Sequence, residues 1–197
     1  MVRQPGEKPT KALWIFCEGT TEKLYFDKYR FEERIGRLKI KSVKTGYTNA
    51  NGIIQKAINF AKNNRNFQTG DLIACVFDRD ANTNNQLEKA KSLAENEGIF
   101  LSFSNPCFEY WILCHYGYFP SVYEVNEVID KIKGFSPDYK KNDPELYSKT
   151  CDKLTIAKNN AKRIQKTHED KNTELISRES NPLSLVFHII DKINEFK

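Results

Sequence analysis

Two apolar runs in this 197-residue chain end in acids. Ala12-Leu13-Trp14-Ile15-Phe16-Cys17 is followed at once by Glu18, with Glu22 a helical turn further on. Leu72-Ile73-Ala74-Cys75-Val76-Phe77 is followed by Asp78-Arg79-Asp80. If the two runs are neighbouring strands of an open sheet, these carboxylates meet at the strand ends, where ligands collect in such sheets. Read as an extended segment, Asp78 and Asp80 project to the same side, roughly 6–7 Å apart at about 3.3 Å rise per residue. That spacing suits hard-cation ligation. Mg²⁺, or Mn²⁺ in its place, takes oxygen ligands, keeps several waters and needs only one or two carboxylates besides substrate phosphate, so an acidic rim fits it better than zinc. Ions held in this way orient an attacking water, neutralise a phosphodiester and stabilise the leaving oxygen. Bland alternatives stay open: Glu22 in the first turn of a helix favours the helix dipole, and Asp78 or Asp80 can serve as cap or turn residues.

Alternating strands and helices must position these acids. The runs 12–17 and 72–77 are continuously apolar, the signature of strands buried on both faces. From Thr21 a helix is predicted to about Arg34, with Leu24, Tyr25 and Tyr29 on its apolar face and Gly36 marking its end. Leu38–Val43 reads as a second strand, and Ile53, Ile54, Ala57, Ile58 and Ala61 as the inner face of a second helix. After the third strand come a helix near Asn85–Glu97, stopped by Gly98, and a fourth strand over Ile99–Phe103. Connections this short imply right-handed crossovers and an α/β fold, a mostly parallel four-stranded sheet flanked by helices. Ser104–Trp111 then reads as a turn opening an aromatic-rich helix that runs through His115. Helices near Val122–Lys133, Leu154–Glu169 and Leu183–Phe196 follow, separated by the loop-like Gly134–Pro144 and Lys171–Pro182. The expected organisation is a loose lead-in over 1–10, an α/β domain over 11–116, and a C-terminal helical extension over 117–197 packed on the same domain. No internal repeat interrupts it.

Hydrophobic residues make up 39% of the chain and aromatics 12%, enough for a packed core without disulfide staples. No apolar run approaches the roughly 20 residues of a spanning helix, and no signal-peptide core follows Met1. A cytoplasmic protein with no membrane partner is expected. Five cysteines, without a CxxC pair, fit a reducing compartment. Cys17 and Cys75 read as core residues, and Cys107, Cys114, His115 and Cys151 match no standard zinc spacing. The net charge of +5 is a mild bias towards anionic partners. The excess is local: residues 149–171 carry seven Lys or Arg against three acids. On a helix over Leu154–Glu169, Lys158, Lys162 and Lys166 recur at i, i+4 with Arg163 beside them, while Ala157, Ala161 and Ile164 face inward. Such a ridge either follows a phosphate backbone or solvates an exposed helix.

Phe16-Cys17-Glu18-Gly19-Thr20-Thr21-Glu22 with the following Tyr25-Phe26, and Phe77-Asp78-Arg79-Asp80, resemble the two motifs of a Toprim domain: a Glu-Gly after the first strand and an Asp-x-Asp after the third. Ser104-Asn105-Pro106-Cys107-Phe108-Glu109-Tyr110-Trp111 and the later Asn181-Pro182 resemble the RloB-like family of prokaryotic defence-associated proteins, which are Toprim-like. The resemblance spans roughly residues 11–190. It implies a Toprim-like sheet in which Glu18, Asp78 and Asp80 ligate divalent metal, with Glu22 as an auxiliary acid. Glu109 belongs to the family motif and either reaches the metal rim or caps its own helix. Asn105 either orients backbone or substrate or simply forms the turn, and His115 reads as a core histidine rather than a general base.

The function so implied is a Mg²⁺-dependent nuclease that hydrolyses DNA or RNA in antiphage defence, beside a partner ATPase of the AAA or ABC-like kind. A non-catalytic nucleic-acid-binding or protein-interaction subunit is the alternative. A primase-like nucleotidyl transferase is a further possibility, since the same rim can serve bond formation.

Overall fold

Burial dictates where each strand lies. All five residues of β1 (Leu13–Cys17) are buried, as are the five central residues of β3 (Leu72–Asp78). Strands covered on both faces belong inside a sheet, and β1 pairs in parallel with β2 (Leu38–Ser42) on one side and with β3 on the other. The parallel β4 (Phe100–Asn105) extends the sheet beyond β3. A two-residue strand, β5 (Leu183–Ser184), then pairs antiparallel with the end of β4, giving the order β2-β1-β3-β4-β5. The computed structural model describes residues 11–42 and 49–195. The expected lead-in over 1–10, Val43 and Phe196 lie outside the described residues.

The mixed α/β architecture with a mostly parallel sheet is the one expected, with one more strand. Leu183–Ser184 is too short to carry a period of its own, and the apolar spacing after it belongs to a helix that begins only at Val186. Crossovers run through α1 (Thr20–Glu32), α2 (Ala50–Asn63) and α3 (Asn84–Asn96). Asn49 caps α2 by accepting from the Gly52 N–H, and Thr83 with Gln86 forms a capping box on α3. Gly98, at φ 64°, takes the left-handed conformation that stops α3. At the end of α1 it is Arg34, at φ 55°, and not Gly36, that makes the left-handed turn, and the helix ends two residues before it.

Among the described residues, the α-helices α4 (Glu109–Cys114), α5 (Val125–Phe135), α6 (Leu154–Asp170) and α7 (Val186–Asn194) follow. The last buries Val186, Phe187, Ile189, Ile190 and Ile193, each worth about 1.5–3 kcal/mol of burial before entropy is counted. A knot of rings ties the later chain to α1. Tyr25 lies 5.5 Å from Phe108 and 5.4 Å from Tyr147, and Tyr29 lies 4.8 Å from Tyr147, ring centre to ring centre. This packing brings the start of α4 and the segment after α5 beside the β1–α1 turn. All five cysteines are free thiols and four are buried, Cys151 being the half-exposed one. No helix among the described residues is long and apolar enough to cross a membrane.

Candidate metal centre

Because β1 and β3 are direct neighbours, their carboxyl ends share one rim. The Glu18 N–H donates to the Val76 carbonyl at 3.0 Å, and the Asp78 N–H donates to Glu18 Oε2 at 3.2 Å. Glu18, Glu22, Asp78, Asp80 and Glu109 line one pocket of about 250 Å³, together with Gly19, Thr21, Phe108, Lys141 and Asn142. Glu22, in the first turn of α1, folds back over Gly19: a Cβ there would lie 2.2 Å from Glu22 Oε2. Close approach is therefore what the glycine of the Glu-Gly pair provides, and its φ of −102° is unstrained.

The pair Asp78 and Asp80 does not lie in one extended segment, as the sequence suggested. β3 ends at Asp78, and Asp80 sits in the turn beyond it at φ 38°, exposed where Asp78 is half-buried. The turn aims both at the pocket by a route other than strand alternation. Asp78 Oδ1 is sealed from solvent and has no hydrogen-bond partner.

Burial, and then the charges of Glu22 and Glu109, push the Asp78 carboxyl well above its ordinary range. Burial and then Asp80 push Glu18 up to about 7. Burial followed by the charges of Glu109 and Glu18 pushes Glu22 up to about 7 as well. Glu109 is nearly inaccessible and accepts from the Tyr139 hydroxyl at 3.3 Å. Among the described residues, Lys141 is the cation that faces the group within salt-bridge distance, its Nζ 3.5 Å from Glu109 Oε1. A mutually repelling set of oxygen donors, buried at Glu22 and Glu109 and open at Asp80, with one sealed, unpartnered oxygen on Asp78 fits a hard divalent cation. The described residues of the pocket lining offer carboxylate oxygens and no thiol or imidazole, a donor set that suits Mg²⁺ better than zinc. Among the described residues no three His, Cys, Asp or Glu stand as a ready-made ligand set, neither these acids nor the Cys107, Cys114, His115 and Cys151 grouping.

The sequence profile of RloB-like proteins matches residues 13–193. The chain belongs to the RloB-like family. Comparison with curated proteins and with solved structures returns no match.

In this RloB-like chain the Asn-Pro motifs do architectural work. The Asn105 side chain, fully buried, donates to the carbonyls of Ser177 and Arg178 at 3.1 and 3.2 Å. Asn181 accepts from the Tyr123 N–H at 3.1 Å and donates to the Tyr123 carbonyl at 2.8 Å. His115 is buried, its Nδ1 3.0 Å from the Trp111 carbonyl, and burial lowers it to about 4, so it is a neutral core histidine.

The lysines of α6 are spoken for. Lys158 and Lys162 both pair with Asp191 of α7, the latter at 3.3 Å, and Lys166 pairs with Asp170 at 2.8 Å. Arg163 lies 4.0 Å over the Tyr118 ring. The inward face is as expected, with Ala157, Ala161 and Ile164 buried.

Lys141 and Asn142, which line the pocket, and Tyr139, which hydrogen-bonds Glu109, are the residues that sequence reasoning missed. They come from the loop-like stretch 134–144, which carries no periodicity. Only long-range contacts bring it here, such as Thr21 Oγ1 to Asn142 Oδ1 at 3.1 Å.

Proposed function

We propose that this RloB-like chain is a Mg²⁺-dependent nuclease with a Toprim-like site, acting on DNA or RNA. The observation that carries the reading is the sealed, unpartnered Asp78 Oδ1 amid repelling carboxylates at the ends of two adjacent parallel strands. Glu18, Asp78 and Asp80 would hold the ion. When bound, it supplies Lewis-acid stabilisation of phosphoryl oxygens and a more acidic water. A full protein cage is not required, since Mg²⁺ commonly binds through one or two carboxylates plus substrate phosphate. Glu22, near neutrality in its pKa, suits holding or passing a proton at physiological pH. Tyr139 orients Glu109 by hydrogen bonding to it. The family resemblance adds the partner ATPase and the antiphage setting.

The test is purified protein, alone and with its neighbouring ATPase, against DNA and RNA in Mg²⁺, Mn²⁺ and EDTA. Cleavage is expected only with metal and is lost in Asp78→Asn, which stays folded and no longer gains thermal stability from Mg²⁺. Undiminished cleavage by folded Asp78→Asn overturns the reading. Metal-dependent stabilisation without turnover, ATPase present, assigns the chain instead to a non-catalytic subunit, and a requirement for nucleoside triphosphates to a transferase.

A further inference from the structure

The loop between α5 and the 3₁₀ turn at Cys151–Lys153 lays one cation across the acidic pocket. Lys141 and Asn142 line both that pocket and a neighbouring cavity of about 380 Å³, whose wall also includes Asp138, Lys140, Asp143 and Lys149. Asn142 fixes the loop to the start of α1: its N–H donates to Thr21 Oγ1 at 3.3 Å, and its Oδ1 accepts from the same hydroxyl at 3.1 Å. Asn142 sits at φ 61°, a conformation Asn tolerates better than most residues. Lys149 holds the far side by pairing with Asp138 and Asp143, each at 2.8 Å. The loop is thus anchored on both sides of Lys141.

Lys141 itself is held loosely. Its side chain is 51% exposed, and its contact with Glu109 is 3.5 Å, longer than the roughly 2.7–2.9 Å of a strong charge-assisted hydrogen bond. Glu109 keeps the Tyr139 hydroxyl if the lysine leaves. Lys149, the other cation of the neighbouring cavity with carboxylate partners, is occupied by both of them. A flexible ammonium, free to swing and facing a rim of acids, is placed to take an anionic group that enters between them.

We infer that Lys141 is a substrate-binding residue that contacts a backbone phosphate of the nucleic acid at the pocket it lines with Glu18 and Asp78. The inference rests on the nuclease reading and adds to it where the phosphate is gripped. The acids alone repel a polyanion, and the half-exposed Lys141 in the same pocket supplies the attraction.

The experiment reads binding with turnover removed. In an Asp78→Asn background with EDTA, the affinity of fluorescent mixed-sequence RNA and DNA oligonucleotides is measured across a salt series. Lys141→Ala is expected to weaken binding about tenfold, the value of one charge-assisted contact. It should also lower the log–log salt slope by roughly 0.7–0.9. Lys141→Arg should keep both. If Lys141 only neutralises Glu109, then Glu109→Gln added to Lys141→Ala restores affinity; if it grips phosphate, the double variant stays weak. Thermal melts of each variant show that the fold persists. Affinity and slope unchanged in Lys141→Ala, or restored by Glu109→Gln, overturn the inference and leave the nuclease reading standing. Failure of the Asp78→Asn parent to bind either oligonucleotide, where wild-type protein also fails with Ca²⁺ present, overturns both.

Discussion

Glu22 joins the two possibilities its sequence position left open. It lies in the first turn of α1, where an acid favours the helix dipole, and its carboxylate also lines the acidic pocket. Its carboxyl is pushed from 4.5 to about 7 by burial first, then by Glu109 and Glu18. A group whose pKa is higher folded than unfolded adds stability that is fully present below about 4.5 and lost as pH rises through about 7. Glu22→Gln keeps the accepting oxygen and removes the charge. In EDTA it should gain on the order of 2–3 kcal/mol at pH 8, at about 1.36 kcal/mol for each tenfold change in acidity, and almost nothing at pH 4. Urea melts at the two pH values decide it; an equal gain at both would mean packing rather than charge. The acids Glu18 and Asp78 were legible because they directly follow apolar runs, and Glu22 and Asp80 because they lie within four residues of those two acids. Lys141 was not, because its relation to them exists only after a loop closure of about 120 residues that no local pattern encodes, visible in the Thr21–Asn142 hydrogen bond.

At the level of elements, legibility tracked period and length. β1, α1, β2, α2, β3, α3 and β4 lie within a few residues of where apolar spacing put them, because each is long enough to show its period. β5 was hidden at two residues, and it is defined by its partner: Ser104 opposite Ser184 and Asn105 opposite Leu183. The segment before β5 is secured by side chains, not by regular structure. Asn105 holds the carbonyls of Ser177 and Arg178, and Asn181 satisfies both backbone groups of Tyr123. Asn181→Ala therefore leaves a donor and an acceptor unpaired and should cost about 1–3 kcal/mol, read as a lower urea midpoint. Asn181→Asp keeps the acceptor for the Tyr123 N–H but faces its carbonyl with an oxygen, so it should recover little. Full stability in both variants would place the anchor of this segment elsewhere. Because β5 pairs with the end of β4 and the acids lie at the ends of β1 and β3, Asn181→Ala should leave Mg²⁺-induced stabilisation in place.

Over the whole molecule, the positive excess is less available than its sequence density suggests. The lysines that form a ridge on α6 are engaged within the fold: Lys158 and Lys162 share the one carboxylate of Asp191, which ties α6 to α7, and Lys162 also lies 5.5 Å over the Phe187 ring. Asp191 is held below its ordinary range despite burial, through the hydrogen bonds and charge of Lys158 and then Lys162. These pairs join two packed helices, so reversing the lysines acts first on the fold. Lys158→Glu with Lys162→Glu sets two carboxylates against Asp191 and should lower stability by about 1 kcal/mol, discounted for the half-exposed Lys162. Adding Asp191→Lys should return most of that loss, since the pair is then restored with its signs exchanged. Lys166, paired with Asp170 on a freely solvated turn with both side chains more than 60% exposed, should contribute little in either sense. The ridge and the pocket loop make opposite demands on one measurement. If phosphate is gripped at Lys141, the charge-exchanged α6–α7 variant binds oligonucleotide with unchanged affinity and salt slope. If α6 carries the backbone, restoring its stability through Asp191→Lys leaves affinity low and the slope reduced by roughly 0.7–0.9 for each phosphate no longer held.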